Sequence, residues 1–185
     1  MAKTDPDMDL LPGLREGDET ALARLMDRHL KTVTAIGYYM LGDASLAEDV
    51  AQTTFLKLWQ TAPKWEAGRA TLLTWMRRVA TNDCLDRLRK KGPIYLDHVP
   101  DRADDTETAL EELEKNDMIA AVRHALASLP DTQKAAITLS YYQQVSQKEG
   151  AAILDQSVKA YESLLSRARK NLKATLSLLY NETVG

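Results

Sequence analysis

Basic side chains are concentrated in two stretches of the chain, where they could neutralise the phosphates of a nucleic acid. Residues 77–91 contain six of them against two acidic residues, and residues 146–176 contain six against three. Phosphate binding depends on local rather than total charge. The formal net charge of −3 therefore does not exclude a nucleic-acid partner. The six basic residues of each stretch are Arg77, Arg78, Arg87, Arg89, Lys90 and Lys91 in the first, and Lys148, Lys159, Arg167, Arg169, Lys170 and Lys173 in the second.

An acidic stretch separates the two basic ones. Residues 97–117 hold nine acidic side chains and only two basic ones. Residues 94–107 include Pro100 and few large apolar groups, so burial cannot offset the entropy of ordering them. We expect a flexible acidic linker over residues 93–107, between a domain at 1–92 and a domain at 108–185.

Helical periodicity recurs along the chain and no strand-like alternation of useful length is present, which predicts an all-α fold of two small helical domains. The first domain should hold a helix from the turn at 16–18 to Gly42, a second from a capping box at Ser45 and Glu48 to residue 60, and a third from residue 72 to 91. The second domain should begin with helices over residues 108–129 and 131–142.

Residues 146–170 have the plan of a helix-turn-helix. Ser146 and Glu149 form a second capping box, a turn falls at residues 154–156, and a longer helix starts at Ser157 with an apolar stripe and an opposite polar, basic face. Such a helix can lie in the major groove of DNA. The alternative is a helical hairpin that merely packs, and Gly150 inside the first helix costs up to about 1 kcal/mol relative to Ala.

Composition excludes several other classes of protein. No stretch approaches the roughly 20 apolar residues of a membrane span, and the acidic N-terminus lacks a signal peptide, so we expect a cytoplasmic protein. The lone Cys84 rules out a disulfide framework, and we expect it to be a small buried helix residue. The three histidines are scattered, and no catalytic constellation, phosphate-binding glycine loop or metal-ligand spacing appears. We therefore expect neither an enzyme nor a cofactor.

Two blocks of sequence resemble extracytoplasmic-function (ECF) sigma factors of the sigma-70 family. Residues 126–133, with Tyr141, Tyr142 and the helix-turn-helix through residue 169, resemble their region 4. Residues 47–59 resemble region 2.2, and residues 74–83 with 86–89 resemble the part of region 2 that opens the −10 element. The blocks stand in the family's order and cover nearly the whole chain outside the first residues and the linker.

The resemblance implies partners and contact residues. Region 2.2 would dock on the β′ clamp of core RNA polymerase and region 4 on its β flap. The positions that match the polymerase contacts are Asp49, Gln52, Phe55, Leu56 and Trp59. An aromatic and aliphatic patch with a few polar groups suits a protein interface. The alternative for Phe55 and Leu58 is a place in the core.

Promoter contacts also follow from the resemblance. Opening the −10 element requires a base held outside the stack and cations for the single strand. The loop at residues 61–70 and the helix after it would supply Trp65, Arg69, Arg77, Arg78, Asn82, Arg87 and Arg89. The recognition helix at residues 157–170 would read the −35 element with Ser157, Lys159, Ser163, Arg167 and Lys170. It departs from the family in Glu162 and Leu164, where basic residues are common.

The resemblance implies a sigma factor that brings core RNA polymerase to selected promoters under the control of an anti-sigma factor. One alternative is a sigma-like decoy that binds an anti-sigma factor without promoter recognition. The chain lacks room for the receiver domain of such decoys and keeps the basic stretch that a decoy would not need. Another is a helix-turn-helix repressor, which would need a dimerisation element that we do not see.

Overall fold

The computed structural model describes residues 5–66, 70–91 and 109–184. The expected linker at 93–107 and the expected promoter contact Arg69 lie outside these residues. Within them the protein is all-α, as predicted. The helices are α1 (Leu11–Glu16), α2 (Glu19–Leu41), α3 (Ala44–Thr61), α4 (Leu72–Lys91), α5 (Ala109–Ala127), α6 (Asp131–Ile137), α7 (Gln147–Ile153) and α8 (Val158–Val184).

Polar caps explain where the helices of the first domain begin. The Asp18 carboxylate accepts from the amide of Thr20 at 2.8 Å and starts α2, which ends at Gly42 in the left-handed conformation. The Asp43 carboxylate accepts from the amide of Leu46 at 2.8 Å and starts α3. The capping box predicted at Ser45 and Glu48 is therefore wrong, because an acidic residue two positions earlier takes the capping role.

Helix α1 was not predicted from the sequence. Its six residues include Pro12 in the first turn and end at Gly17, which has a φ of 77°. So short a helix is not stable alone. Its leucines hold it in place, since Leu10, Leu11 and Leu14 are each at most 5% exposed in the core of the first domain.

The first core lies between α2, α3 and α4. Apolar side chains from all three helices are fully or almost fully buried there, with Leu25, Ile36 and Met40 from α2 among the largest. Helices α2 and α3 approach closely at Gly37, where an added Cβ would stand 2.7 Å from the Ala47 Cα. That distance explains why a residue without a side chain occupies position 37.

The second core joins the helix-turn-helix to α5 and α6. Tyr161 is completely buried, and its hydroxyl donates to the carbonyl of Ala136 at 3.2 Å. A Cβ on Gly150 would lie 2.4 Å from the Cζ of Tyr161. The expected propensity cost of Gly150 is thus offset by the space that it leaves for this ring. The helix predicted over 131–142 ends at Ile137 and continues as a π-helical turn, Thr138–Tyr142.

The two cores are also packed against each other. Ala135 of α6 belongs to the first core, and Tyr39 of α2 packs against the second. The rings of Tyr39 and Tyr142 stack with centroids 3.5 Å apart, and the Arg123 guanidinium lies 5.7 Å from the centre of the Tyr38 ring. The side-chain amide of Gln143 donates to the carbonyl of Thr32 at 3.2 Å. The structure is therefore a closed arrangement of the two domains.

Candidate nucleic-acid and partner interfaces

Helix α8 presents the residues expected to read the −35 element. Ser157, Lys159, Ser163, Arg167 and Lys170 are all exposed. The Ser157 hydroxyl accepts from the amide of Ala160 at 3.1 Å, so this residue caps α8 and holds its first turn. Arg167 donates from Nε to the carbonyl of Ser163 at 3.4 Å, which leaves the outer guanidinium nitrogens for a phosphate or a base.

Leu164 does not belong to this exposed face. It is 5% exposed and packs in the second core with Leu165 and Tyr161. Leu164, one of the two departures from the family pattern, is therefore a core residue, because the apolar stripe of α8 is wider than the sequence spacing indicated. Glu162 is exposed and so is the one of the two departures that lies on the surface.

At the start of α7, the first helix of the motif, Ser146 and Glu149 do not act as a pair. Ser146 caps the helix, and Glu149 contacts the first domain. The Ser146 hydroxyl accepts from the amide of Glu149 at 3.2 Å, as the capping box predicts. The Glu149 carboxylate contacts the first domain instead. It accepts from the hydroxyl of Thr74 at 2.8 Å and from Nη1 of Arg77 at 3.1 Å. A residue identified as a local cap is thus a contact between the two domains.

Arg77, an expected −10 contact, is occupied in this closed arrangement. Its side chain is 15% exposed. Besides the ion pair with Glu149, it donates from Nη2 to the carbonyl of Gln143 at 3.2 Å and from Nε to the side chain of Gln143 at 3.4 Å. Both partners come from the second domain, so the closed arrangement occupies this guanidinium.

Arg78, Asn82 and Arg89 lie at the surface of α4. Arg89 is 77% exposed and makes a surface ion pair with Asp86 at 2.7 Å, which is weak enough for a phosphate to replace. Arg87 is 26% exposed and donates from Nε to Asp83 at 2.9 Å, and its Nη1 lies 3.6 Å from the carboxylate of Asp49. The carboxylates orient Arg87 along the helix and link it to α3.

Trp65 lies inside the first domain and not at its surface. It is 8% exposed, and its ring meets that of Trp75 edge to face, with centroids 5.6 Å apart. Its indole nitrogen is buried and has no hydrogen-bond partner among the residues that the structure describes. The prediction that Trp65 holds a promoter base does not fit this arrangement, because the ring of Trp65 is itself part of the first core.

Of the expected polymerase contacts, four are accessible. Asp49 and Gln52 are exposed, Leu56 is 55% exposed, and Trp59 is half-buried. Phe55 is only 3% exposed and belongs to the first core, as does Leu58. The assignment of Phe55 to the contact surface is therefore wrong, and its alternative, a place in the core, is confirmed. The remaining four form an apolar and polar surface on α3.

An open apolar groove on the second domain was not foreseen. It encloses about 1040 Å³ between α5, α6, the π-helical turn and the second half of α8. Tyr141 is 56% exposed at its edge, and Arg169 lies over the Tyr141 ring at 5.7 Å. The apolar wall consists of Leu126, Ile137, Leu172 and Leu176. Such a groove suits the apolar side of a partner helix.

Cys84 is completely buried in α4, as predicted. Burial raises the pKa of its thiol from 9.0 to about 12, and the neighbouring Asp83 acts in the same direction. The described residues include no group of three or more His, Cys, Asp or Glu side chains that could hold a metal ion. No helix in the same part of the chain is long and apolar enough to cross a membrane.

Comparison with known families agrees with both halves of this picture. Residues 25–94 match the family model of Sigma-70 region 2, and residues 119–172 match that of Sigma-70 region 4. A region 2 and a region 4 in one chain define a transcription initiation factor of the sigma-70 class. The chain is 30% identical over 177 residues to the ECF RNA polymerase sigma factor SigW of Bacillus subtilis, covering 88% of this chain and 92% of that protein. The chain therefore belongs to the ECF sigma factors.

Other relatives and solved structures agree. The ECF sigma factor SigE of Mycolicibacterium smegmatis is 28% identical, over 90% of this chain and 67% of that protein. CnrH in complex with the cytosolic domain of CnrY superimposes with a TM-score of 0.69 at 27% identity, over 94% of this chain and 99% of that one. RpoE of Bartonella quintana, in complex with the anti-sigma factor NepR, shares the fold with a TM-score of 0.66 at 23% identity, over 84% and 96%.

Proposed function

We propose that this ECF sigma factor opens the −10 element with α4 and reads the −35 element with α8, and that its polymerase contact lies on the exposed face of α3. The observation that carries the proposal is the position of the basic side chains. The described basic side chains of α4 and α8 lie at the surface or in ion pairs that can exchange, whereas the largest apolar side chains of the same helices, among them Leu72, Met76 and Tyr161, are buried. The proposed function includes no catalysed formation or cleavage of a covalent bond.

On α4, the contacts are assigned to Arg78, Asn82, Arg87 and Arg89. Their guanidinium groups bind the phosphates of the opened strand, and Asn82 offers an amide that can both donate and accept toward a base. Arg77 joins them when its ion pair with Glu149 separates. Trp65 has an indirect role. Its buried ring packs against Trp75 and so supports the start of α4.

On α8, Lys159, Ser163, Arg167 and Lys170 lie on the face opposite the buried stripe and meet the major groove. Arginine and lysine suit guanine edges and phosphates, and serine accepts or donates as needed. Glu162 is exposed on the same helix and can accept from a cytosine amino group. The domain is placed on polymerase through its apolar groove, which fits a helix such as that of the β flap.

An anti-sigma factor is the expected inhibitor. RpoE of Bartonella quintana is described in complex with the anti-sigma factor NepR. In the present chain the closed arrangement already covers Arg77 with residues of the second domain. A partner that binds both domains at once would hold this arrangement and keep Arg77 from the promoter.

In vitro transcription with core RNA polymerase on genomic fragments tests the proposal. Wild-type protein should yield promoter-specific transcripts. Replacing both arginines (Arg87→Ala with Arg89→Ala) should lower their yield by roughly tenfold or more, because two phosphate contacts are lost. The matched control is Arg24→Ala with Lys31→Ala, which removes two exposed positive charges of α2.

Two outcomes would contradict the proposal. If the double α4 variant transcribed as well as the control, Arg87 and Arg89 would have no place in promoter opening. If wild-type protein gave no promoter-specific transcript at all, a decoy that binds only an anti-sigma factor would explain the chain better. Binding of each variant to core polymerase, measured separately, shows whether the loss arises at the promoter step.

A further inference from the structure

The segment at residues 5–16 lies before the region 2 match, which starts at residue 25. It is nevertheless tied to the helix that opens the promoter. The Asp5 carboxylate accepts from the amide of Leu72, the first residue of α4, at 2.7 Å across 67 positions of sequence. The first-turn amides of a helix lack partners inside the helix, so Asp5 supplies one from outside it.

A second tie lies ten residues further along the same segment. The guanidinium of Arg15 donates from Nη2 to the carbonyl of Trp65. Trp65 and Leu72 stand on either side of the stretch that connects the end of α3 to the start of α4. Both ends of that stretch are thus bonded to one segment, by a side chain in each case.

The segment itself is anchored firmly. Asp7 is 1% exposed and accepts from Nη1 of Arg28 at 2.9 Å, and it lies 2.7 Å from Nε2 of His29. The bond to Asp7 raises the pKa of the Arg28 guanidinium, with Asp9 adding to it. Leu10, Leu11 and Leu14 bury the other side of the segment in the first core. A buried polar anchor and a buried apolar face hold Asp5 and Arg15 at fixed distances from α2.

We propose that Asp5 and Arg15 are positioning residues for promoter opening, which set where α4 begins and how its first turn faces the DNA. The proposal rests on the assignment of the −10 element to α4. Neither side chain needs to touch DNA. Their effect is exerted through the backbone at Leu72 and Trp65, and so on the direction of Thr74, Arg77 and Arg78 in the first two turns. A shift of about 1 Å in these groups is enough to alter selectivity.

The test measures base preference at the −10 element. Full-length protein with core RNA polymerase transcribes a pool of templates that share one −35 element and are randomised across the −10 element, and the transcripts are sequenced. Asp5→Ala and Arg15→Met should each lower the preference for the best bases over the average by roughly fivefold, the factor expected when a displaced group of α4 loses one hydrogen bond to a base. Arg15→Lys keeps a donor and should keep more of the preference than Arg15→Met.

Matched controls separate positioning from loss of fold. Asp9→Ala removes a carboxylate of the same segment that is 61% exposed and lies 3.6 Å from the Arg28 guanidinium. Arg24→Ala removes an exposed guanidinium of α2. Both should leave the base preference unchanged. Thermal unfolding of every variant shows how far stability falls.

The possible results separate a positioning role of the segment from a purely stabilising one. If Asp5→Ala and Arg15→Met lower the melting temperature but transcribe the same sequences as wild type, the segment only stabilises the first domain and the inference is overturned. If wild type itself shows no preference at the −10 element, the assignment of α4 fails and the inference fails with it. Lower preference at the −10 element, with unchanged binding to core polymerase, supports the inference.

Discussion

At the scale of single residues, the chemistry of each functional side chain depends on its charged neighbours. Arg77, Arg87 and Arg89 stand within one helix and are the same residue type, yet they are paired with Glu149, Asp83 and Asp86 respectively. The pair at Arg89 is local and exposed, so it contributes little to stability. The pair at Arg77 joins the two domains and is three-quarters or more shielded from solvent on both sides.

Cys84 allows a prediction about reactivity. Its thiol is buried and has a pKa of about 12, so the native protein should react with a thiol-specific reagent at pH 8 far more slowly than the unfolded protein. The measurement is the rate of modification with and without denaturant. Equal rates in both states would show that the thiol is accessible and would contradict the burial.

The same pKa has a consequence for stability against pH. The folded-state pKa lies above the value of 9.0 for the free thiol, so the native state holds the proton more tightly. Its contribution to stability is complete below pH 9 and is lost as the pH rises from about 9 toward 12. Compared with Cys84→Ala, wild-type protein should therefore lose stability more steeply above pH 9 in denaturant titrations.

At the scale of elements, α8 separates into a face for packing and an exposed basic face that we propose for DNA. Leu164 and Arg167 are three positions apart, yet the first is buried and the second exposed. The buried stripe includes Tyr161, Leu165 and Ala168. Periodicity locates such a stripe, but its width depends on how much surface α5 and α6 cover.

This division predicts opposite effects for two substitutions in α8. Arg167→Ala should weaken binding to duplex −35 DNA by roughly five- to tenfold, with the melting temperature unchanged. The slope of the logarithm of the binding constant against the logarithm of the salt concentration should become shallower by about 1. Leu164→Ala should instead lower the free energy of unfolding by about 2–5 kcal/mol through a cavity. Fluorescence anisotropy at several salt concentrations and urea unfolding measure the two.

The control for α8 is Arg169→Ala. Arg169 lies over the Tyr141 ring and lines the apolar groove, away from the face that we propose for DNA. It carries the same charge as Arg167 on the same helix, so its loss should change −35 binding much less. If both variants lost the same affinity, binding would reflect total charge and α8 would lack a defined reading face.

At the scale of the whole molecule, the contact between the domains decides which side chains of α4 are accessible to a partner. It combines a stacked tyrosine pair, a cation over Tyr38 and the bonds of Arg77 to the second domain. Most of these groups are polar or aromatic, and the small side chain of Ala135 is the part of the second domain that is buried in the first core. Contacts of this kind separate more readily than an apolar core does.

The carboxylate of Glu149 should therefore influence the balance between closed and open arrangements. Its contacts with Thr74 and Arg77 bridge the domains, so Glu149→Ala should raise the open population by roughly fivefold. Distances between dyes on cysteines placed at the exposed Ser45 and Ser166 report this population. The buried Cys84 should remain unlabelled.

Glu162→Ala is the matched control, because it removes an exposed carboxylate of the second domain that lies on the face of α8 proposed for DNA. It should leave the distances unchanged. Addition of core polymerase to wild type should also lengthen them. Identical distances in wild type and Glu149→Ala would mean that the Arg77 contact does not hold the domains together.

The sequence by itself determined the all-α class, most helix limits, the basic stretches and the order of the two domains. These features arise from local causes, namely periodicity, capping residues, Pro and Gly at helix ends, and charge along the chain. Only the tertiary structure decided that Phe55, Trp65 and Leu164 are buried, that Glu149 pairs with Arg77 across 72 positions, and that Asp5 caps α4. Burial and pairing at such separations depend on which helices lie side by side, and spacing along one helix carries no information about its neighbour.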